Sequence, residues 1–289
     1  MRANWLWPLL PWSLRERLLR RLLRFEASVL AGYRVRLAES RDELLAASRL
    51  MYAGYRETQL ATEHPSGIRY SSFWLLPTTH VLVGEDREAL SATLSLMLDG
   101  VLGVPMQRVL PEVVAGLRAQ GRRVAEVGSL AVAPGRRRTG MAFLLYKAAY
   151  LLARDGGVDD LLIAVQPDAA DLYRALLCFE PLGPPVANYP GVEGPVRCTP
   201  MRLRLRESIE LFRARFDHLP HTWGNPLYLY VERQDPGITL PAASQWQAYA
   251  RRRLAASTQL ITTRPDVLLN QSPADRDLIL SSLSTGAHA

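Results

Sequence analysis

The hydrophobic positions of this chain follow two periods, and their succession predicts a mixed α/β domain over residues 33–206. Residues 33–37, 79–85, 90–98 and 124–132 have the alternating or continuous apolar pattern of strands, as do 161–165 and 197–206. Between them, residues 111–120, 139–154 and 168–177 repeat apolar side chains at helical spacing, and Ser40 begins a capping box for a further helix.

The two ends of the chain depart from this pattern. Residues 4–12 are rich in tryptophan, and after Ser13, a candidate cap, Leu14, Leu18, Leu22, Phe25 and Val29 recur at helical spacing beside several arginines. Such an amphipathic helix either packs on the domain or on a second subunit, or lies at the surface of an anionic membrane. We assign residues 1–32 to this helix, 207–270 to an extension with helices over 207–216 and 242–256, and the polar residues 271–289 to a flexible tail.

Composition narrows the classes of partner. The 289 residues carry a formal charge of +7, and Lys147 is the only lysine, so the excess charge comes from arginine. A basic chain favours anionic partners, but no nucleic-acid recognition motif is present and we expect no nucleic acid to bind. The apolar runs are too short to span a membrane, and the two cysteines and five histidines lack metal-ligand spacing. We therefore expect a cytoplasmic protein without a metal, peripheral at the inner face of the membrane if residues 1–30 contact lipid.

A basic, glycine-containing loop opens the predicted helix over residues 139–154. The first turn of a helix has unpaired backbone N–H groups and a partial positive charge, and glycine lets a ligand come close to the backbone. Arginines at the entrance add donors for phosphate. The loop is therefore a candidate pyrophosphate or phosphopantetheine site, formed by Arg136, Arg137, Arg138, Thr139, Gly140, Met141 and Ala142.

Glu126 is the candidate general base. It is a carboxylate inside an otherwise apolar strand, where burial would raise its pKa toward a useful range. The alternative is a structural ion pair with Arg122, Arg123 or another arginine. His80, which is also polar in an apolar strand, is expected to be a hydrogen-bonded structural residue, and Cys178 has no evident partner that would make it a nucleophile.

Two segments resemble the GNAT N-acetyltransferase superfamily. Residues 137–142, Arg-Arg-Thr-Gly-Met-Ala, fit its acyl-donor signature Arg/Gln-x-x-Gly-x-Gly/Ala directly after the fourth strand. Residues 170–180 resemble its Tyr…Gly-Phe segment, although the gap is one residue longer and Cys178 occupies the glycine position. The resemblance implies a central mixed, mostly antiparallel sheet flanked by helices, here with extra N-terminal and C-terminal helices. It also implies that Tyr173 is the general acid for the leaving thiolate, and that backbone N–H groups hold the thioester carbonyl and the pantetheine where the strand splays, at Leu130, Ala131 and Val132.

Within that superfamily the chain resembles the long-chain N-acyl amino acid synthases of the FeeM type, relatives of the acyl-homoserine lactone synthases. Residues 36–40, 92–96, 102–106 and 125–132 carry the resemblance, together with Tyr52 and Tyr55. The lactone synthases have Glu-x-Ser-Arg in the matching strand. Here Gly128 and Ser129 replace the Ser-Arg pair, which disfavours lactone chemistry and leaves space beside Glu126.

The family implies transfer of a long-chain fatty acyl group from an acyl carrier protein thioester to the amine of an amino acid or similar small molecule. No cofactor would be bound permanently, since acyl-phosphopantetheine, on carrier protein or CoA, is itself the donor substrate. The acidic carrier protein would dock on the arginine loop and the basic N-terminal helix, and an apolar tunnel could be lined by Phe73, Trp74, Leu75, Leu76, Met97 and Phe143. Two alternatives stay open: an acetyl-CoA-dependent small-molecule N-acetyltransferase, and a non-enzymatic lipid- or carrier-binding protein with the same fold.

Overall fold

The strands form one continuous sheet in the computed structural model, which describes residues 7–21, 32–86, 89–194, 196–221, 225–269 and 271–285. They are β1 (Tyr33–Leu37), β2 (Thr79–Asp86), β3 (Ala89–Leu98), β4 (Val124–Val132), β5 (Asp160–Val165), β6 (Glu180–Pro181), β7 (Thr199–Arg204) and β8 (Ile238–Thr239). Their order across the sheet is β6-β7-β5-β4-β3-β2-β1-β8. The β4–β5 and β1–β8 pairs are parallel, and the other neighbouring pairs are antiparallel. The predicted mixed, mostly antiparallel sheet is confirmed.

Helices flank this sheet. In the described residues they are α1 (Trp12–Arg21), α2 (Arg41–Glu57), α3 (Ser72–Leu75), α4 (Pro111–Ala119), α5 (Met141–Asp155), α6 (Ala170–Leu177), α7 (Ser208–Phe216), α8 (Trp246–Thr263), α9 (Asp266–Leu269) and α10 (Pro273–Thr285). The helices expected over 111–120, 139–154 and 168–177 are present, with ends that differ by one or two residues. The helix expected over 242–256 begins later and continues to Thr263, because its buried stripe continues through Leu260 and Ile261.

Each face of the sheet has its own apolar layer. Helix α5 packs on one face, where Leu144 and Leu145 join a buried cluster with Val127. Helix α2 covers the other face, with Met51 in a separate buried cluster. Successive side chains of a strand point to opposite faces. Val127 therefore lies on the α5 face of β4, and Glu126 lies on the α2 face.

In the described residues 7–21, polar and aromatic side chains contact the domain, whereas Leu14 and Leu18 of the predicted apolar face are 39% and 37% exposed. Trp7 Nε1 and Arg15 Nη1 both donate to Asp171 Oδ2 on α6, at 2.9 and 2.5 Å. The guanidinium of Arg174, also on α6, lies 4.2 Å from the ring centre of Trp12. These polar and cation–π contacts hold α1 against α6.

Two details of the N-terminal expectation change. Helix α1 begins at Trp12, so Ser13 lies inside its first turn and is not its cap. The expected apolar positions Leu22, Phe25 and Val29 lie outside the described residues.

The expectation of a flexible tail after residue 271 is wrong for Pro273–Thr285. This segment is the helix α10, whose Ile279 and Leu283, four residues apart, are 0% and 8% exposed against the α2-side cluster. The helix begins where Ser272 Oγ accepts from the backbone N–H of Asp275 at 3.1 Å, with proline in the first helical position. None of the helices in the described ranges is long and apolar enough to cross a membrane.

Candidate functional site

Glu126 is a buried carboxylate that two hydrogen-bond donors hold in place. Its side chain is on β4 and the residue is 2% exposed. Met106 donates its backbone N–H to Oε2 at 2.7 Å, and the hydroxyl of Tyr189 donates to Oε1 at 2.5 Å. Met106 lies in the first turn of a 3-10 helix, Pro105–Arg108, where backbone N–H groups have no partner within the helix. The carboxylate therefore satisfies an amide that would otherwise be buried without an acceptor.

Burial dominates the acidity of this group. It raises the pKa of Glu126 to about 7, against the opposing effect of the two hydrogen bonds, which stabilise the charged form. Burial also raises the pKa of the Tyr189 hydroxyl well above its ordinary value, and the neighbouring carboxylate raises it further, so this hydroxyl stays protonated and remains a donor. The predicted alternative, an ion pair between Glu126 and Arg122, does not form. Arg122 instead binds Asp160 and Glu207.

A β-bulge follows Glu126 and opens the sheet. Between β3 and β4 the register passes from Ser95↔Gly128 to Thr93↔Ala131, so β4 has one extra residue. Ser129 takes up the bend with a φ of 56°, in the left-handed region. The parallel pairing of β4 with β5 ends at Glu126↔Leu162, and β4 continues to Val132 without that neighbour. The two strands splay at the point where the candidate base lies.

Two adjoining cavities lead to Glu126 from the α2 face. The inner cavity has a volume of about 70 Å³ and is lined by Glu126, Gly128 and Ser129, which is the space expected beside the base. The outer cavity has a volume of about 490 Å³. Both are lined by a shared set of residues, Arg69, Tyr70, Ser71, Pro190, Gly191 and Val192. The two cavities therefore share a wall, and Glu126 lines the inner one.

The basic loop turns at Gly140 into the start of α5. Gly140 has a φ of 88°, a conformation that favours glycine, and directly precedes α5. The Met141 side chain is buried against Gly84 of β2, where an added Cβ would lie 2.6 Å from the Met141 sulfur. The amides of Met141 and Ala142 are in the first turn and lack acceptors within the helix. Thr139 Oγ1 donates to the carbonyl of Arg136 at 2.7 Å, which closes the loop.

The loop arginines contact carboxylates of neighbouring elements. Arg137 forms a bidentate pair with Glu57 at the end of α2, with distances of 2.5 and 2.6 Å. Arg136 forms an ion pair with Asp86 of β2. Both arginines are thus paired with carboxylates, and an anion that bound to them would compete with Glu57 and Asp86.

Tyr173 lies on α6 beside a second tyrosine. Its hydroxyl is 2.7 Å from that of Tyr146 on α5, and the two rings meet edge to face at 5.5 Å. Burial raises the pKa of both hydroxyls, so both are protonated near neutral pH. A protonated pair of this kind can donate a proton and recover it through its partner.

His80 and Cys178 have structural surroundings. His80 Nδ1 lies 3.3 Å from the Tyr249 hydroxyl, and burial, with the nearby charge of Arg253, lowers the pKa of His80 to about 4. Burial raises the pKa of the Cys178 thiol to about 12, which keeps it in the unreactive thiol form. Among the described residues, no cluster of three or more histidine, cysteine, aspartate or glutamate side chains could hold a metal ion.

Three residues of this site lack a sequence signal or have only a weak one. Tyr189 lies in a proline- and glycine-rich loop without periodicity, so nothing in one dimension links it to Glu126. Tyr146 is one aromatic position of an amphipathic helix, and Arg69 is one arginine among many. Met106 had a signal, since it belongs to the segment 102–106 that carries the family resemblance.

A sequence model of the N-acyl amino acid synthase FeeM family matches residues 46–204. The solved structure of FeeM, an N-acyl amino acid synthase from uncultured soil microbes, is 23% identical, with a TM-score of 0.54 over 62% of this chain and 93% of that one. BjaI, a CoA-dependent acyl-homoserine lactone synthase, is 16% identical, with a TM-score of 0.48 over 77% of this chain and 100% of that one. An acyl-CoA N-acyltransferase from Pseudomonas aeruginosa is 17% identical, with a TM-score of 0.41 over 59% and 97% of the two chains. A comparison with curated proteins found no match. The expected GNAT-like fold is confirmed.

Proposed function

We propose that this protein moves a long-chain fatty acyl group from a carrier-protein thioester to the amine of an amino acid. The chain belongs to the N-acyl amino acid synthase FeeM family and is therefore an acyltransferase. The observation that carries this proposal is Glu126, a carboxylate with a pKa of about 7 at the inner end of a cavity. An amino acid amine is protonated at neutral pH and cannot attack a thioester until it loses a proton. A base with a pKa near the working pH is suited to remove it.

The reaction moves three protons. Glu126 takes one proton from the ammonium group, and the free amine attacks the thioester carbonyl to give a tetrahedral intermediate with a positively charged nitrogen. The carbon–sulfur bond then breaks, the electron pair leaves with sulfur, and Tyr173 supplies the proton that makes the free thiol. The attacking nitrogen loses its second proton, which restores the tyrosine pair through Tyr146, 2.7 Å from Tyr173, and Glu126 releases its proton to solvent. The products are an N-acyl amino acid and the carrier thiol.

The splayed part of β4 supports binding of the thioester arm. Residues 130–132 continue past the last β4–β5 pair, so the backbone edge that β5 does not cover can accept an extended chain. A pantetheine arm has amide groups that pair with a free strand edge as another strand would. We assign Leu130, Ala131 and Val132 to this contact, with a backbone N–H there polarising the thioester carbonyl.

The loop before α5 supports binding of the phosphate end. The first-turn amides of α5 and the arginines of the loop provide donors for an anion at a helix N-terminus. Arg138 has a φ of 64° and is exposed at the tip of the loop. We propose that Arg136, Arg137 and Arg138 also meet the acidic surface of a carrier protein.

We propose that the fatty acyl chain enters the protein at a small apolar cavity. It has a volume of about 20 Å³ on the α5 face and is lined by Val127, Tyr146, Ala149, Tyr150, Leu161, Leu177, Phe179, Leu203, Phe212 and Tyr230. Val127 and Leu161 belong to β4 and β5, so the cavity lies near their splay. We propose that a long chain widens this cavity by moving the aromatic rings.

The tunnel predicted from the sequence does not correspond to this cavity. Phe73, Trp74, Leu75 and Leu76 pack on the opposite face of the sheet, in the α2-side cluster. That segment is α3 and its C-terminal flank, and its apolar side chains are almost fully buried against α10 and the sheet. Phe143 packs on the α5 side, so the predicted set does not line one passage.

Helix α1 offers a second basic surface. Leu14 and Leu18 are 39% and 37% exposed on a helix rich in arginine, although its other side packs on α6. This arrangement suits an acidic carrier protein or the surface of an anionic membrane. We propose contact with the carrier protein, since α6 also carries Tyr173.

The test is turnover with a defined donor. The purified protein is given a long-chain acyl carrier protein and a mixture of amino acids, and release of the free carrier thiol is followed together with mass spectrometry of the acylated product. We expect thiol release in the wild type and a loss of at least about 100-fold in Glu126→Gln, the range typical of a general base. Turnover with acetyl-CoA but not with acyl carrier protein would support the small-molecule acetyltransferase. Binding of the acyl carrier protein without turnover in the wild type would support the non-enzymatic protein.

A further inference from the structure

The outer cavity has a wall that lies outside the part of the chain matched by the family. The match ends at residue 204, whereas Gln271, Ser272 and Asp275 line the cavity from the C-terminal segment. Asp275 is in the first turn of α10, and its side chain is 13% exposed. Helix α10 is held there by its buried Ile279 and Leu283. The C-terminal segment, which the sequence predicted to be a flexible tail, thus forms part of the wall of the outer cavity.

This wall carries a carboxylate, Asp275. Ser72 Oγ lies 2.7 Å from the side-chain amide of Gln271 and 2.9 Å from Asp275 Oδ2, and its one hydrogen can be donated to Asp275 when the amide of Gln271 donates to Ser72. Arg108 Nη2 donates to the other Asp275 oxygen at 2.8 Å. A carboxylate has about four acceptor positions, and these two contacts leave capacity at Asp275 for a further donor.

Arg69 lines both cavities and provides donors for an anionic group. This side chain is 11% exposed, and its guanidinium lies 4.7 Å above the ring of Tyr55. Nη1 contacts Glu193 at 3.2 Å, while a guanidinium has five N–H donors. Arg69 lines the same inner cavity as Glu126. A molecule whose amine reaches Glu126 can therefore place a carboxylate against Arg69.

We infer that the two cavities bind an amino acid whose side chain carries a hydrogen-bond donor, with its carboxylate on Arg69 and its side chain on Asp275. The inner cavity, at about 70 Å³, has room for the ammonium and carboxylate head, and the outer cavity, at about 490 Å³, has room for the side chain. This inference rests on the proposed function, because it takes Glu126 as the base. It makes α10 a determinant of acceptor specificity.

The first experiment separates acceptors that differ only in the donor. KM and kcat are measured at saturating acyl donor for glutamine against methionine, and for threonine against valine. We expect the wild type to prefer the donor-bearing member of each pair by about tenfold in KM, the scale of one hydrogen bond to a charged group. Asp275→Asn is expected to remove most of that preference without a change in the KM of the acyl donor. Asp277→Asn is the matched control, since Asp277 is exposed on the same helix and does not line the cavity.

The second experiment tests the carboxylate contact. Arg69→Ala should raise the KM of an amino acid about 10- to 100-fold and leave that of its decarboxylated amine unchanged, because only the acid has the group that Arg69 binds. Thermal melting of each variant checks that the fold is retained. An equal effect of Asp275→Asn and Asp277→Asn, or no preference within the amino acid pairs in the wild type, overturns the inference while turnover itself continues.

Calorimetric binding of glutamine and methionine is measured in parallel, because it does not depend on turnover. A preference for glutamine that Asp275→Asn abolishes supports the acceptor site even if no product forms, in which case the proposed function alone fails. Equal binding of the two amino acids, or none, overturns the inference whether or not the protein is active.

Discussion

The burial of Glu126 has opposite effects on stability and on catalysis, and Glu126→Gln separates them. The folded protein raises the pKa of this carboxyl from its ordinary 4.5 to about 7, so the folded state binds the proton more tightly than the unfolded state does. The resulting stabilisation is fully present below pH 4.5 and is lost as the pH rises through 7. At pH 8 the buried carboxylate is charged, and the folded state has lost about 3 kcal/mol relative to the neutral acid.

Glutamine has nearly the same shape and cannot ionise, so its contribution does not change with pH. The free energy of unfolding of Glu126→Gln relative to the wild type should therefore rise by about 2 to 3 kcal/mol between pH 5 and pH 8. The part of this difference in unfolding free energy that is independent of pH depends on how the glutamine amide contacts the two donors on Met106 and Tyr189. The part that changes with pH does not depend on those contacts, so the change with pH is the quantity to measure.

The assay is urea denaturation of both proteins at several pH values, followed by circular dichroism. The same preparations give the pH profile of kcat/KM. In the wild type, activity should rise about tenfold between pH 6 and pH 8, as the fraction of Glu126 in the charged form rises around a pKa of about 7. A stability difference that is flat between pH 5 and pH 8 would refute the reasoning, since it would mean that Glu126 titrates alike in the folded and unfolded states.

Three further predictions concern residues around the site. Tyr189→Phe removes a hydrogen bond that lowers the pKa of Glu126, so the midpoint of the kcat/KM profile should move to higher pH; a shift to lower pH in that titration would contradict the assigned donor. Glu57→Gln weakens the bidentate pair with Arg137 and should lower the KM of the acyl carrier protein donor about two- to fivefold in steady-state assays. A rise in this KM would show instead that the pair holds the loop in the conformation that binds the donor. Arg253→Ala should lower the free energy of unfolding, measured in urea, by about 3 kcal/mol or more. The buried guanidinium donates to three backbone carbonyls, which the substitution would leave unsatisfied. A loss below about 1 kcal/mol would contradict this role.

The sequence was informative where a feature is local. Glu126 stands out because a carboxylate in an apolar strand is visible in one dimension, and the loop before α5 because its glycine and arginines are consecutive. The partners of Glu126 come from residues 106 and 189, on either side of it, and their approach depends on the tertiary fold. The C-terminal helix also has a local signal, since Ile279 and Leu283 have the i, i+4 spacing of a buried helical stripe. The bulge at Ser129 had none, because a serine with positive φ does not differ in sequence from any other serine.

The bulge changes which face of the sheet the residues of β4 lie on. Without the extra residue, alternation would place Ala131 on the same face as Val127. With it, Ala131 joins the α2-side cluster while Val127 stays on the α5 side, so the strand changes phase just beyond Glu126. Up to Glu126 the β5 side of β4 is occupied by β5, and beyond it this edge is no longer paired with that strand. Glu126 thus lies at the last paired residue, with the inner cavity on the α2 face and the aromatic cavity on the α5 face. In the proposed reaction the amine would reach Glu126 from the α2 face and the thioester along the unpaired edge of β4, so the change of register just beyond Glu126 would bring the two substrates to the same residue.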